Sequence, residues 1–342
     1  MPSLIFVTGG TGFIGSQFLQ DALQAGHHVR LSIRREGQVD EVKKRFPNHV
    51  SQLEFAHIPD IGDSTALRAA LGNDVDYIFH LASPMPGKGE DFKTEYLKPA
   101  VDGTEAILNA AANAPSVKRV VVMSSLLALI PLGGLQIPGL EIKGGSNPSI
   151  AVDPNAPFPS GPAGYGAKYA ASKILAHRAT IDWMAARKPH FSLVTVNPTF
   201  VLGYDMTQTD PTKPGGINAF LLRSLATPTP GKPVIPAAFV DVRDVSSVLL
   251  RSLELQVEKG APLTEVLVNG NPTSWEEIIG FVKARYPSVD VKLEGPFLTP
   301  FTADTSRAET QLGVKWRGIQ EILASVLNQQ MELRSRSVRA GL

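Results

Sequence analysis

Apolar residues recur along the first two-thirds of the chain as short β-branched runs alternating with longer stretches of three-to-four-residue periodicity. The runs LIFVT (4–8), HVRLSI (28–33), LEFAHI (53–58), DYIFHLA (76–82), VKRVVVMS (117–124) and FSLVTVN (191–197) predict strands. Between them, 13–25, 39–46, 64–72, 90–114 and 165–187 predict helices. Strands that are apolar almost without interruption need cover on both faces, and helical connections supply it. The expected architecture is an α/β, doubly wound parallel sheet, which binds ligands at the carboxyl ends of its strands.

The later third is less regular. FVDVRDVSSVLLRSLEL and EVLVNGNPTSWEEIIGFVKARYP return to the sheet layer, whereas the Pro- and Gly-rich 205–236 stretch and the final segment predict a lobe over the sheet edge. No internal repeat and no long linker interrupt the chain. The segment 126–164 is crowded with Pro and Gly, mostly apolar and poor in charge. A loop of that length within a compact domain is usually a functional cover or binding loop.

Composition narrows the possibilities mainly by exclusion. The 342 residues suffice for a large domain with a smaller lobe, and an apolar fraction of 43% can build their core. A formal charge of +1 gives no reason to expect nucleic acid or an anionic membrane as partner. With no cysteine there is no disulfide, thiol nucleophile or thiolate metal site. No His/Asp/Glu spacing points to a metal, and His80, within YIFHLAS, reads as a core histidine. The start MPSLIFVTGG enters a strand directly, without the pattern of a signal peptide, so a cytoplasmic location is expected. The uncharged run Val120–Leu140 has membrane-spanning length, but Pro131, Pro138, Gly133 and Gly134 make it a buried strand and an irregular loop instead. Nothing marks an interface, so a monomer or homodimer is expected.

Chemistry enters with VTGGTGFIGSQFL, which puts Gly9, Gly10, Gly12 and Gly15 between the first strand and the first helix. Glycines there allow a tight turn, close backbone approach to a pyrophosphate and close helix–strand packing, and the helix N-terminus offers N–H groups to phosphate. The same turn includes Phe13 and Ile14. A dinucleotide site of this Rossmann type reads its ribose at the end of the second strand, where an acid favours NAD. Here Ile33 fills that position and Arg34 and Arg35 follow, with Lys43 and Lys44 further on. A guanidinium in place of a carboxylate suits a 2′-phosphate, so the expected cofactor is NADPH (NADP+). Asp60 and Ile61 follow the third strand, where an adenine could be met, and Leu81, Ala82 and Ser83 end the fourth. On this reading 1–198 plus roughly 236–285 form the dinucleotide-binding domain, and roughly 199–235 plus 286–342 the substrate-binding lobe.

The stretch GPAGYGAKYAASKILA holds two tyrosines and two lysines, Tyr165, Lys168, Tyr169 and Lys173. Positions four apart share a helix face, so Tyr169 and Lys173 can meet. Tyr165 lies on that face too, with Lys168 three residues on, and geometry alone leaves the choice open. Gly164 and Gly166 weaken helical order around Tyr165, whereas Tyr169 adjoins the small residues of AASK, which favours Tyr169. A phenol near pKa 10 becomes a useful acid–base group when a cation stabilises its anion, and Lys173 is placed to depress it.

These residues, together with the MSS strand end, NPTFVLG, FVDVRDV and FTADTSRAETQLG, resemble the extended short-chain dehydrogenase/reductase family over essentially the whole chain. VRLSIRR, YIFHLASP and KRVVVMSS are most similar to its dihydroflavonol reductase-like branch, which includes ketoreductases of secondary metabolism. The resemblance implies hydride transfer from NADPH to a ketone or aldehyde, with Tyr169 as proton donor, Lys173 as its partner and Ser125, the second serine of the pair, polarising the carbonyl. It further implies that Ser124, Pro198 and Val201 lie near the nicotinamide. The apolar loop start LLALIPLGGLQIPGL favours an apolar, aromatic or polyketide-like substrate. Cations for a substrate diphosphate are missing from LLALIPLGGL and FVLGYDMTQTD, with Lys213, Arg223, Lys232 and Arg243 further along. The competing expectations are an NAD-dependent epimerase or hydroxysteroid-type dehydrogenase on the same fold, and a non-catalytic dinucleotide-sensing protein.

Overall fold

A computed structural model describes residues 2–83, 89–228, 235–258 and 260–339; Lys232 lies outside them. The chain runs β1 (Leu4–Thr8), α1 (Phe13–Gln24), β2 (His28–Ile33), α2 (Gly37–Arg45), β3 (Leu53–His57), α3 (Ser64–Leu71), β4 (Tyr77–His80), α4 (Lys98–Ala112) and β5 (Arg119–Met123). It continues through β6 (Glu141–Ile142), α5 (Pro162–Arg187), β7 (Ser192–Pro198), β8 (Phe200–Leu202), α6 (Gly216–Ala226), β9 (Phe239–Asp241) and α7 (Val242–Arg251). Last come β10 (Thr264–Val268), α8 (Trp275–Arg285), β11 (Thr302–Ala303), α9 (Ser306–Thr310) and α10 (Ile319–Arg339).

Seven strands form one parallel sheet in the order β10-β7-β5-β4-β1-β2-β3. The reason for strands apolar on both sides is visible in β1. Ile5 and Val7 pack into the cluster under α1 and α7, while Phe6 joins the opposite cluster with Ile107 of α4 and Trp183 of α5. Burying alternate residues on opposite faces requires helices on both, as the pattern implied. The strand order reverses beside β1, between β4 and β2, and the expected site lies at the carboxyl ends there.

Departures from the sequence reading are local. The helix expected over 90–114 is a single π-helical turn, Lys93–Leu97, followed by α4, whose second residue Pro99 needs no hydrogen-bond donor in a first turn. The 126–161 loop is more structured and less open than expected. It contains short 3₁₀ turns at Leu126–Leu129, Gly134–Gln136 and Asn147–Ser149, and its β6 pairs with β11. Leu126, Leu129, Ile130 and Ile142 do not form a wall free for substrate; they pack with Ala238, Leu267 and Phe301 in a core of their own. Only Leu132 and Ile137 of that apolar run present large exposed surfaces, at 40% and 48%.

A third cluster unites α6, α8 and α10 through Leu221, Leu225, Trp275, Ile278, Val282, Leu323 and Val326. Helix α8, which the sequence reading assigned to the nucleotide domain, thus packs with the smaller lobe. Conversely, Ala308, Leu312 and Val314 pack into the core beneath α1. Arg317 pairs with buried Asp244 of α7, and Arg243 bridges Asp241 and Glu321, so charge as well as apolar contact joins the two parts. No helix among the described residues is long and apolar enough to cross a membrane.

Candidate active site

The turn from β1 to α1 is built for close backbone approach. Gly9 has φ +73, and a Cβ there would lie 2.5 Å from the Ala82 backbone nitrogen; one on Gly15 would lie 2.2 Å from the Gly9 carbonyl oxygen. Neither position accepts a side chain. Gly12 precedes α1 without any side-chain cap, and no acid stands in the first turn. The N–H groups at Phe13, Ile14 and Gly15 therefore head a helix whose positive end carries no competing anion, and the group these residues fit is a pyrophosphate.

At the adenosine end, Ile33 is buried and Arg34 is exposed directly after it. Gln38 was not anticipated: its Oε1 accepts from the backbone N–H of Arg34 and Arg35 at 2.8 and 3.1 Å, and its Nε2 donates to Thr11 Oγ1 at 3.0 Å. It ties the arginine turn to the glycine turn. Lys43 stands on α2 with its ammonium 5.8 Å from the Phe55 ring centroid. The Asp60 carboxylate accepts from Gly62 N at 2.9 Å in a local turn. Ile61 and Arg34 line a cavity of about 240 Å³ whose lining also includes Ala82, Ser83, Ser124, Lys173 and Thr195. Leu81 N donates to the Thr8 carbonyl at 3.1 Å, keeping the β4 end against β1.

His80 is the core histidine expected, 4% exposed and hydrogen-bonded through Nδ1 to Thr8 Oγ1 at 2.9 Å, although it also lines the cavity. Burial, reinforced by the nearby Lys173 charge, pushes it down to about 4, so it is neutral at physiological pH.

The two tyrosine–lysine pairs of α5 have separate surroundings. Lys168 is 2% exposed, donates to Glu90 Oε2 at 2.8 Å and sits 5.6 Å from the Tyr165 ring centroid; the Tyr165 hydroxyl is 3.4 Å from Glu90 Oε1. Lys173 sits 5.5 Å from the Tyr169 ring centroid, donates to Ser83 Oγ at 2.7 Å and lines the cavity. Tyr169 is half-buried against the cluster of Phe92 and Tyr96 and is not among the side chains lining the cavity. Gly164 does not loosen the helix as the sequence reading held. Helix α5 begins earlier, and a Cβ on Gly164 would lie 1.6 Å from the Pro159 carbonyl, so this glycine serves close packing.

The expected depression of the Tyr169 phenol is absent. Burial pushes it up to about 12, and burial pushes Lys173 down to about 8. Desolvation penalises the charged form of each, and the ammonium bonds Ser83 rather than the phenol.

Ser125 lies two residues beyond β5, is 9% exposed, and its Oγ accepts from Leu127 N at 3.2 Å, capping the first turn of the loop. Asn197 donates to the Ser125 carbonyl at 3.2 Å, bringing β7 and the Pro198–Val201 segment alongside. Ser125 is not in the cavity lining; Ser124 is, with its Oγ 3.3 Å from His177 Nδ1. His177 was missed in the sequence, although it stands four residues beyond Lys173 and so on the same helix face.

A nucleotide cradle and a Tyr-x-x-x-Lys helix on one parallel sheet define a nicotinamide-dinucleotide protein of the short-chain type. Residues 5–264 match the family described as NAD dependent epimerase/dehydratase. The chain belongs to that family, the extended short-chain dehydrogenase/reductases. Among curated proteins it is 33% identical over 334 residues to ketoreductase sphI of Aspergillus fumigatus, covering 96% of this chain and 98% of the relative. It is 28% identical over 300 residues to an anthocyanidin reductase of Vitis vinifera, covering 83% and 81%. Among solved structures, yeast methylglyoxal/isovaleraldehyde reductase Gre2 complexed with NADPH superposes with a TM-score of 0.82 at 22% identity, over 97% of this chain and 99% of that one.

Proposed function

We propose that the chain is an NADPH-dependent reductase that converts a ketone or aldehyde of a small molecule to the alcohol, with Tyr169 as proton donor. It is an oxidoreductase acting on carbonyl groups, the activity for which ketoreductase sphI is named. The observation that carries the reading is that one cavity is lined by Arg34 as well as by Lys173 and Ser83, together with a turn where Gly9 and Gly15 admit no side chain.

Gly9, Gly12, Phe13, Ile14 and Gly15 would hold the pyrophosphate, Arg34 with Lys43 the 2′-phosphate, and Asp60 with Ile61 the adenine. Leu81, Ala82, Ser83, Ser124, Pro198 and Val201 would surround the nicotinamide end. When bound, the reduced nicotinamide supplies the hydride. A phenol held near 12 is fully protonated at neutral pH, which a proton donor requires. Lys173, fixed by Ser83, places a positive charge beside the tyrosinate that forms as the proton leaves. Ser125 accepts from Leu127 N, which orients its hydroxyl and leaves its hydrogen to donate to the carbonyl oxygen.

The test is NADPH consumption against a panel of aromatic and aliphatic ketones and aldehydes, with Tyr169→Phe beside the wild type. Turnover by the wild type and none by the variant, at unchanged NADPH affinity, is expected. Tight NADPH binding with no turnover of any carbonyl would instead mark a dinucleotide-binding protein without catalysis.

A further inference from the structure

A second cavity, of about 160 Å³, lies where the loop after β10 meets β11 and α9, and it shares no lining residue with the cavity of Lys173. Trp316, Phe301, Pro272 and Pro300 give it apolar walls. A Cβ on Gly270 would lie 2.2 Å from the Phe239 carbonyl oxygen, so the backbone between Asn269 and Asn271 is seated against β9. Trp316 is held at both ends: its indole N–H donates to Glu309 Oε1 at 2.7 Å, and its carbonyl accepts from Asn271 Nδ2 at 3.2 Å. A frame fixed in this way loses little freedom when a ligand enters.

The polar groups that line it have acceptor capacity left over. Asn269 Oδ1 is buried and has no hydrogen-bond partner among the described residues. Glu309 Oε1 takes a second bond from Thr305 Oγ1 at 2.7 Å, so both of its donors are neutral. No ion pair neutralises Glu309 among the described residues; Arg307, on the same helix, engages Glu258 and the Glu265 carbonyl instead. A buried acceptor without a donor is unfavourable, and a ligand that brings the donor removes that penalty. An anion would face the Glu309 charge, and a hydrocarbon would leave Asn269 unpaired. An ammonium brings three donors and the opposite charge, and an indole face attracts it further. A cavity of about 150 Å³ admits benzene, so this one has room for a single ring.

We propose that this cavity is a second ligand site, which takes a small organic ammonium carrying one ring-sized apolar group. The ammonium pairs with the Glu309 carboxylate and donates to Asn269 Oδ1, and the apolar group lies against Trp316 and Phe301. The site stands apart from the carbonyl chemistry and does not depend on it. Its occupant touches both parts of the molecule: Ala238 and Phe301 belong to the core that holds Leu126, Leu129 and Ile130, and Trp316 packs against the core beneath α1. A ligand held by the folded chain alone raises its stability by mass action, so binding here is read as a raised thermal midpoint as well as a heat.

The probe is benzylammonium, titrated calorimetrically into the full chain at neutral pH, with benzyl alcohol as its neutral counterpart of the same size. Saturable binding of the ammonium is expected, the same with and without NADPH, and about 10-fold tighter than that of the alcohol, the size of a charge-assisted bond. Glu309→Gln keeps an acceptor for Trp316 and Thr305 and removes only the charge, so it should fold as the wild type does and bind benzylammonium about 10-fold more weakly. Asn269→Ala should weaken it as well. No saturation by about 10 mM, equal affinity for the alcohol, or an affinity unchanged by Glu309→Gln would overturn the proposal. A crystal structure of the complex should show the ammonium at Glu309 and Asn269; benzylammonium bound only in the cavity of Lys173 would equally overturn it. Carbonyl turnover is not a readout here, so a chain that reduces nothing removes the reductase reading and leaves this site standing.

Discussion

Two neighbouring tyrosine–lysine pairs near the start of one helix make the instructive comparison. Tyr165 with Lys168 and Tyr169 with Lys173 have almost the same ring-to-ammonium distance, 5.6 and 5.5 Å. What divides them is the third group. Lys168 meets the Glu90 carboxylate, so its charge is neutralised, while Lys173 meets a serine hydroxyl and keeps its charge for whatever enters the cavity. A cation near a phenol is common; a buried cation without a carboxylate beside it is costly, and such costs concentrate where charge is used.

The largest expected effect breaks the comparison outright. Tyr169→Phe should lower kcat by about 10³-fold or more, the upper part of what a positioned proton donor contributes, with NADPH affinity unchanged by fluorescence titration. Tyr165→Phe should stay within about threefold of wild type, since among the described residues its hydroxyl makes one long contact, with Glu90. Loss of activity in the Tyr165 variant instead would reverse the assignment of the two pairs.

The lysine sharpens the comparison through pH. Lys173 is lowered to about 8 by burial, so it is charged below that pH and neutral above it. The profile of kcat/KM for reduction, which reports the free enzyme, should therefore fall as pH rises through about 8. Lys173→Met should remove that limb together with most of the rate. A flat profile between pH 7 and 10 would mean that the ammonium has no part in the reaction.

The sheet and the glycine turn were legible because each depends on local pattern. β1 shows why: its alternate residues enter opposite cores, so both faces must be apolar, and Gly9 and Gly15 are fixed by backbone atoms one residue type alone can approach. The loop after Ser125 was misread because an apolar run does not say which side it turns; Leu126, Leu129 and Ile130 face a core completed by Phe301, far along the chain. The tyrosine's pKa was misread for a related reason. Spacing shows which charges can be near, but the burial that outweighs them is made by Phe92 and Tyr96 from another segment. Glu265 was invisible, because it meets His177 only through the pairing of β10 with β7.

In the lining of the same cavity, Arg34→Ala should weaken NADPH about 10- to 100-fold while leaving NADH little changed, the size expected for charge-assisted bonds to one phosphate. Equal losses for both cofactors would show that Arg34 does not read the 2′-phosphate. His80 supplies a stability effect. Its folded value near 4 lies below the unfolded value near 6.5, so the unfolded chain binds the extra proton first. Stability is complete above about pH 6.5 and declines as pH falls toward 4, by about 3 kcal/mol for this group; chemical denaturation of His80→Asn should show a shallower decline.

The smallest effect is the most direct control on the opening contrast. Lys168→Met keeps the length and apolar stem of the side chain and removes only the charge facing Glu90. Lys168 is 2% exposed, whereas Glu90 remains in water, so the variant leaves no buried carboxylate unpaired. Replacing a buried charge by an apolar isostere of similar volume is commonly neutral or stabilising, because the desolvation of the charge disappears with it. Thermal midpoint should be unchanged or raised, and kcat within about twofold of wild type, measured beside Lys173→Met under identical conditions. If the two methionine variants lose activity alike, the carboxylate is not what separates the pairs, and α5 acts as one electrostatic unit along its first three turns.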